Sequence, residues 1–300
     1  MKTILHEYNN GNTHVTILND GTKIRSYEKT PNILFPETID IKITNYCDMG
    51  CKYCHEQSTK EGIHGDLSLL LYQLKDLPPG VEIAIGGGNP LSHPDLLFFL
   101  EKIKKQGLIT NLTVNQGHLK SYLRSISYYI EEDLIKGLGI SVTNNNFTYI
   151  KSLLELSENI VYHLIAGVSK VSVVEDLITL SNCKILILGY KKFGFGIDYY
   201  NDSIRQNLVE WYKALSNLRG KCVISFDNLA IQQLKVERLF TIEGWEKFYM
   251  GDDFTFSMYI DAVEKKFAPT SRSLERKSFT EYSLLEFFSM RNNYERIWKI

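Results

Sequence analysis

From Glu37 to Tyr190 the sequence switches six times between two hydrophobic rhythms, and this restricts the fold more than any other feature. "ETIDIKIT" spaces Ile39, Ile41 and Ile43 two apart, the period of a strand, and "LSLLLYQLKDL" follows with helical spacing. The pair of signals recurs as "VEIAIGG" with "HPDLLFFLEKIKKQG", "LITNLTVN" with "GHLKSYLRSISYYIEEDL", "GLGISVT" with "NFTYIKSLLELSE", and "NIVYHLIAG" with "KVSVVEDLITLSN"; "KILILGY" is the sixth strand. Pro94 suits a first helical position and Gly107 a C-terminal cap. Alternation at roughly 25–30 residues per unit indicates parallel βα repeats. The stretch 183–190 is almost wholly apolar, as a strand covered on both faces requires. The pattern fits a closing barrel or an open doubly wound sheet equally well.

Outside the repeats the chain reads differently. Two turn signals, "NNGN" and "NDGT", lie among "THVTIL" and "TKIRSY" and predict a small β-meander, set off by Pro31 and Pro36. Beyond the repeats, "SIRQNLVEWYKALSNL" predicts a helix, "CVISFDN" a strand, "TFSMYIDAVEKKFAP" a strand–turn–strand, and "SLLEFFSMRNNYERIW" a terminal helix. The expected organisation is a β appendage over 1–36, a core over 37–195, and an extension over 196–300 that packs on the core, with the appendage and extension shaping the substrate entrance.

A formal net charge of −1 offers no general grip on nucleic acid. No run approaches the ~20 apolar residues that span a membrane, and the first residues lack a signal-peptide core. A cytoplasmic location is expected, where thiols stay reduced.

Against that background "NYCDMGCKYCHE" stands out, because Cys47, Cys51 and Cys54 lie within eight residues at C-x3-C-x2-C spacing. The loop follows the first strand of the series, and loops at the carboxyl ends of parallel strands line ligand sites. Three thiolates there can hold zinc, with adjacent His55 as a fourth ligand, or three irons of a [4Fe–4S] cluster with the fourth iron open, or they can be buried apolar groups. Zinc sites usually pair two C-x2-C knuckles, and no second pair is present; Cys183 and Cys222 stand apart in predicted strands and read as core residues.

This motif, with Tyr53 before the last cysteine and the lead-in "KITNYC", resembles the signature of the radical S-adenosylmethionine (radical SAM) superfamily over roughly residues 37–190. The resemblance implies an incomplete parallel (β/α)6 TIM-like barrel of α/β class, with an N-terminal β-meander and a C-terminal α+β extension. It implies a [4Fe–4S] cluster on Cys47, Cys51 and Cys54, and S-adenosylmethionine (SAM) on the open iron. Many relatives carry a C-terminal cysteine-rich module for auxiliary clusters; no cysteine follows Cys222 here.

"AIGGGNPLSHP" resembles the family's Gly-Gly-Glu-Pro segment, which contacts the SAM amino group: Gly87, Gly88 and Pro90 match, and Asn89 stands where an acidic residue is usual. An amide oxygen still accepts from an ammonium, without the strengthening a charge brings. In that family the later strand ends meet the ribose, carboxylate and adenine of SAM, which points to Asn115, Ser141, Thr143, Gly189 and Lys191, with Lys191 as the cation for a carboxylate and Tyr53 near adenine. Each has a plain structural alternative in loop polarity or packing. His55, His93 and His163 are acid–base candidates, although single histidines are more often structural. Asp227, Asn228 and Asp261 sit in apolar runs and read first as structural hydrogen-bonding groups.

The resulting expectation is an enzyme that cleaves SAM reductively and abstracts hydrogen from a peptide or small molecule, fed by a flavodoxin or ferredoxin. Two alternatives stand beside it: a protein that keeps cluster and SAM without turnover, which Asn89 makes worth stating, and a zinc-bound structural module.

Overall fold

The computed structural model describes residues 2–293. The meander forms a separate antiparallel sheet of β1 (Ile4–Asn10), β2 (Thr13–Leu18) and β3 (Lys23–Ser26). The predicted repeats follow as β4 (Thr38–Lys42), α1 (Leu67–Leu74), β5 (Glu82–Gly86), α2 (Leu96–Lys105), β6 (Ile109–Asn115), α3 (Leu119–Glu131), β7 (Gly137–Ser141), α4 (Thr148–Leu154), β8 (Ile160–Ile165), α5 (Val173–Ile178) and β9 (Lys184–Leu188). A short α6 (Gly196–Tyr199) and the long α7 (Asp202–Leu218) lead to β10 (Val223–Phe226), α8 (Asn228–Leu234) and α9 (Ile242–Phe248). The chain then runs through β11 (Ser257–Asp261), β12 (Lys266–Ala268), β13 (Lys277–Ser278) and α10 (Leu284–Ser289). The predicted terminal helix is thus one short helix and a 3-10 turn to Asn293, and its last residues lie outside the described ones.

The six predicted strands are adjacent and parallel, but the sheet is larger than six. Its order is β10-β9-β8-β7-β6-β5-β4-β11-β12-β13. Parallel β10 extends one edge beside β9, and parallel β11 extends the other beside β4. The segment beyond residue 196 therefore builds part of the sheet as well as packing on it. Periodicity could not reveal this, because membership in a sheet depends on the partner strand.

The sheet is curled. Five strand intervals separate β4 from β9, about 24 Å if flat, yet the Lys191 ammonium, three residues past β9, acts on the Asp40 carboxylate in the middle of β4. The side chains sort by parity. Outward residues such as Ile39, Ile41, Ile83, Ile85, Leu138, Ile140, Ile185 and Ile187 are buried under the helices. Inward ones, such as Ala84, Thr113, His163 and Leu186, are only half-buried, and Asp40 is exposed. The barrel is hollow, unlike one filled by layers of branched side chains.

The meander corrects one expectation. It closes the end of the barrel away from the cysteine loop and does not shape the mouth. Lys23 pairs with Glu82 at 2.5 Å and donates to Thr38 at 2.9 Å, Lys184 donates to the Asp20 carbonyl at 3.1 Å, and Asn159 donates to the Asn19 carbonyl at 2.7 Å. All four barrel residues lie at or beside strand beginnings. Glu37, fully buried, is held by Arg25 at 2.7 Å.

Candidate metal centre and cofactor site

The cysteine loop leaves β4 and is fastened on both flanks by backbone bonds. Asn45 and Cys47 donate to the Ile63 and Thr59 carbonyls at 2.9 and 2.8 Å, and Cys54 donates to the Cys51 carbonyl at 3.1 Å. The last of these closes a tight turn around C-x2-C. The three thiols are free and half-buried. Burial raises the Cys47 thiol, and negative charge on Cys51 and Cys54 raises it further against the Met49 amide. Burial and then Cys54 raise Cys51, partly offset by the Tyr53 hydroxyl. Thiols that repel one another on ionising lie close together, and a cation among them would relieve the repulsion.

Cys47 and Cys51 line one cavity of about 430 Å³, walled also by Ser58, Thr59, Lys60 and Phe195. The buried Ser58 hydroxyl has no hydrogen-bond partner among the described residues. At the end of β6, the Asn115 side-chain amide points at the Cys51 sulfur from 3.9 Å, while its oxygen accepts from the Gly117 amide at 2.9 Å. Three half-buried thiols that act on one another, an amide aimed at sulfur and an adjoining space fit a bound iron–sulfur cluster.

The sequence reading missed Asp48 and His118. His118 Nε2 lies 2.7 Å from Asp48 Oδ1, and the two can meet Cys47 with all ligand atoms within 4.8 Å. His55, the sequence-based candidate for a fourth zinc ligand, faces elsewhere. Its Nε2 accepts from Lys191 at 3.1 Å, and burial together with that lysine lowers its pKa. A single His directly after a Gly is no recognisable signal, so only the fold could bring His118 to Cys47.

The glycine segment is docked onto the cysteine loop. Gly88 and Asn89 donate to the Thr44 and Tyr46 carbonyls, both at 2.7 Å, so these amides serve the loop–loop contact and not a ligand. Gly87 adopts φ +115, and a Cβ on Gly88 would lie 2.2 Å from the Tyr46 carbonyl oxygen. Glycine is required here by a close approach of two backbones. Gly88→Ala should therefore displace the loop. We expect a protein that folds with a melting temperature several degrees lower and binds well under half the wild-type iron after reconstitution; unchanged iron content would show that the contact is dispensable. Asn89 is buried, and its oxygen accepts from the Leu91 amide at 3.2 Å, so it caps the following 3-10 turn.

The other candidates separate. Tyr53 packs on Tyr199 with ring centroids 5.8 Å apart, beside Cys51. Ser141 is half-buried on the inner face of β7; Thr143 is exposed, its amide held by Gln116 Oε1 at 2.8 Å. Gly189 is committed to the fold: its amide donates to Asp227 at 2.9 Å and a Cβ there would meet Leu229 at 2.5 Å. Lys191 donates to Ser271 at 2.9 Å as well as to His55, and burial lowers its pKa against the pull of Asp227, Glu56 and Asp40. Asp227 also caps α8 through the Ala230 amide at 2.7 Å, and Asn228 donates to Asp253 at 2.9 Å. His93 is tied to the Gly65 carbonyl at 2.9 Å. His163 faces the hollow over Gly139, with burial pushing its pKa down to about 4. Cys183 and Cys222, apart in sequence, are neighbours: β9 and β10 pair beside them, and each thiol shifts the titration of the other.

Beneath the loop lies a buried ionic network. Lys42 reaches Glu56 at 3.1 Å and Asp261 at 2.8 Å, and Arg276 reaches Asp261 at 2.8 Å. The Tyr259 hydroxyl donates to Glu56 at 3.1 Å. Burial would lower the Lys42 ammonium, but Glu56 and Asp261 outweigh it and hold it above its ordinary value.

Residues 41–169 match the family model described as Radical SAM superfamily, a span that contains the cysteine loop, the glycine segment and the strand ends through β8. The chain carries a radical SAM domain. No curated protein matches the sequence. Three structures of SuiB from Streptococcus suis share the fold of this chain. SuiB bound to the precursor peptide SuiA is 15% identical, with 85% of this chain covering 65% of that one at a TM-score of 0.63. SuiB bound to S-adenosylmethionine is 14% identical over 88% and 68% at 0.64, and SuiB alone 13% over 95% and 86% at 0.59. The chain thus spans about two thirds of the ligand-bound SuiB chains. Among the described residues no helix is long and apolar enough to cross a membrane.

Proposed function

We propose that this radical SAM enzyme holds a [4Fe–4S] cluster on Cys47, Cys51 and Cys54, binds SAM beside it, and abstracts hydrogen from a peptide substrate. The observation that carries the reading is three free, half-buried thiols on one short loop after the first strand of a parallel barrel, near enough that charge on one raises the pKa of another. When bound and reduced, for example by a flavodoxin or ferredoxin, the cluster supplies the electron that splits SAM into methionine and a 5′-deoxyadenosyl radical.

The chain's own residues bind, orient and enclose. Asn115 offers its amide to the Cys51 sulfur, and such donors tune a cluster's potential. Tyr53 and Phe195 cover the loop and limit water near it. Lys191 stands beside the loop as a cation for a carboxylate, and Ser141 and Asn115 present polar groups at neighbouring strand ends. The glycine segment contributes chiefly by fixing the loop. The hollow below is where a substrate residue would meet the radical.

A peptide substrate is supported by the likeness to SuiB, which binds the precursor peptide SuiA, together with the open lumen. The test is anaerobic reconstitution with iron and sulfide, followed by dithionite and SAM, with 5′-deoxyadenosine measured by chromatography. Formation of that product supports the reading. A brown protein that binds SAM and forms none would be the non-catalytic alternative, and a colourless one holding zinc would be the structural module.

A further inference from the structure

Among the described residues, charged groups facing the barrel hollow have side-chain or backbone partners, with Asp40 the exception. Lys42 and Arg276 share Asp261, Glu56 takes Lys42, Glu82 takes Lys23, and Lys191 is bonded to Ser271 and His55. Asp40 has no hydrogen bond or ion pair within the described residues. It stands at the middle of β4, in register with Ala84 of β5 and Tyr259 of β11, and points inward beside the small Ala84 side chain. Protein surrounds it, yet solvent still reaches it, as it reaches a group on the wall of a hollow.

The groups that act on Asp40 from the surrounding elements are Lys191 after β9, Asp227 after β10 and Asp253 before β11. One cation thus opposes two other anions, and that cation already has two partners. Burial, more than these charges, pushes the Asp40 carboxyl up to about 6, so it is still mainly ionised at neutral pH. A carboxylate on the wall of a hollow, reached by solvent and with no ion pair of its own, is open to a cation that enters from the mouth. The facing wall carries Leu186 and Leu188 of β9 and Ile165 of β8, half-buried and apolar.

We propose that Asp40 anchors a cationic group of the substrate, an ammonium or guanidinium on an apolar stem that lies along β8 and β9. This rests on the reading of the chain as a radical SAM enzyme acting on a peptide. The cation would neutralise Asp40 and place the carbons of its stem in the hollow, below the cysteine loop. SAM also carries an ammonium, but Asp40 lies deeper than Lys42, which itself underlies the loop through Glu56.

The test uses the reconstituted holoprotein with SAM present and two probes, Nα-acetyl-lysine methylamide and Nα-acetyl-norleucine methylamide, titrated by ligand-observed NMR. The lysine probe should bind about tenfold more tightly, the scale of a hydrogen bond to a charged group. The arginine analogue should share this preference. In Asp40→Asn, which removes an uncompensated charge and should melt no lower than wild type, the preference should vanish. Equal affinities in the wild type overturn the proposal whatever the variant does. A lysine preference that survives in Asp40→Asn also overturns it, and a variant that loses SAM affinity assigns Asp40 to the cofactor instead. Formation of 5′-deoxyadenosine by the same wild-type preparation reports separately on the parent reading. SAM cleavage without probe discrimination sinks Asp40 alone, and absence of cleavage sinks the enzyme.

Discussion

Cys51→Ala should yield a folded protein that takes up almost no iron and forms no 5′-deoxyadenosine above background. Of the three thiols, Cys51 is the one touched by both Asn115 and Tyr53, and it lines the cavity with Cys47. Losing even a partner of a metal ligand commonly costs 10–100-fold, so loss of a ligand itself should lower turnover at least ~100-fold. The fold should survive, because the loop is fastened by backbone bonds from Asn45, Cys47 and Cys54 that do not involve the Cys51 side chain. Iron, acid-labile sulfide and the visible absorbance should fall together. Cys222→Ala is the control: its thiol pairs with Cys183, and it should keep full iron. If Cys51→Ala bound a full complement of iron, the three-thiol assignment would be wrong.

Asp261→Ala should be the most destabilising single change in the barrel. Asp261 is fully buried, its Oδ2 accepts from Lys42 and Arg276, and its Oδ1 accepts from the Val263 and Glu264 amides at 3.1 and 3.0 Å. Removing Asp261 leaves Lys42 with Glu56 alone and Arg276 with the half-exposed Glu264 at 3.5 Å, and strands two backbone amides, a loss of about 3–5 kcal/mol. Thermal or urea unfolding measures it directly. The loss should reach the metal centre as well, because Lys42 also holds Glu56, two residues after Cys54. Iron affinity should therefore fall with stability, though less than in Cys51→Ala. A change below ~1 kcal/mol would mean that solvent or a shifted Glu56 replaces Asp261 at little cost.

Much of this protein was legible in one dimension. The alternation of Ile39, Ile41 and Ile43, and of Ile83 and Ile85, marked strands covered on their outer face, and the helical runs between them implied parallel neighbours. The cysteine spacing marked the metal loop because ligands in one short turn are local in both sequence and space. Gly87 and Gly88 were singled out for approach to a ligand, while the structure uses them for approach to Tyr46 and Thr44. The residue type was informative, but its partner was not, since glycine signals closeness without saying to what. Gly189 and Asn89 were drawn into turns and caps by the same ambiguity.

Sequence alone determined what depends on neighbours along the chain: the parallel repeats and the three-thiol loop at the end of the first of them. Tertiary structure decided what depends on partners far apart in sequence. It added β10 and β11 to the sheet, set the meander on the barrel's closed end, brought His118 to Asp48, and turned His55 toward Lys191. It also left Asp40 without an ion pair among the described residues, since a carboxylate's partners are known only once the chain has closed around it. Hydrophobic periodicity and ligand spacing are short-range properties, whereas ion pairing and strand membership are settled only when distant segments meet.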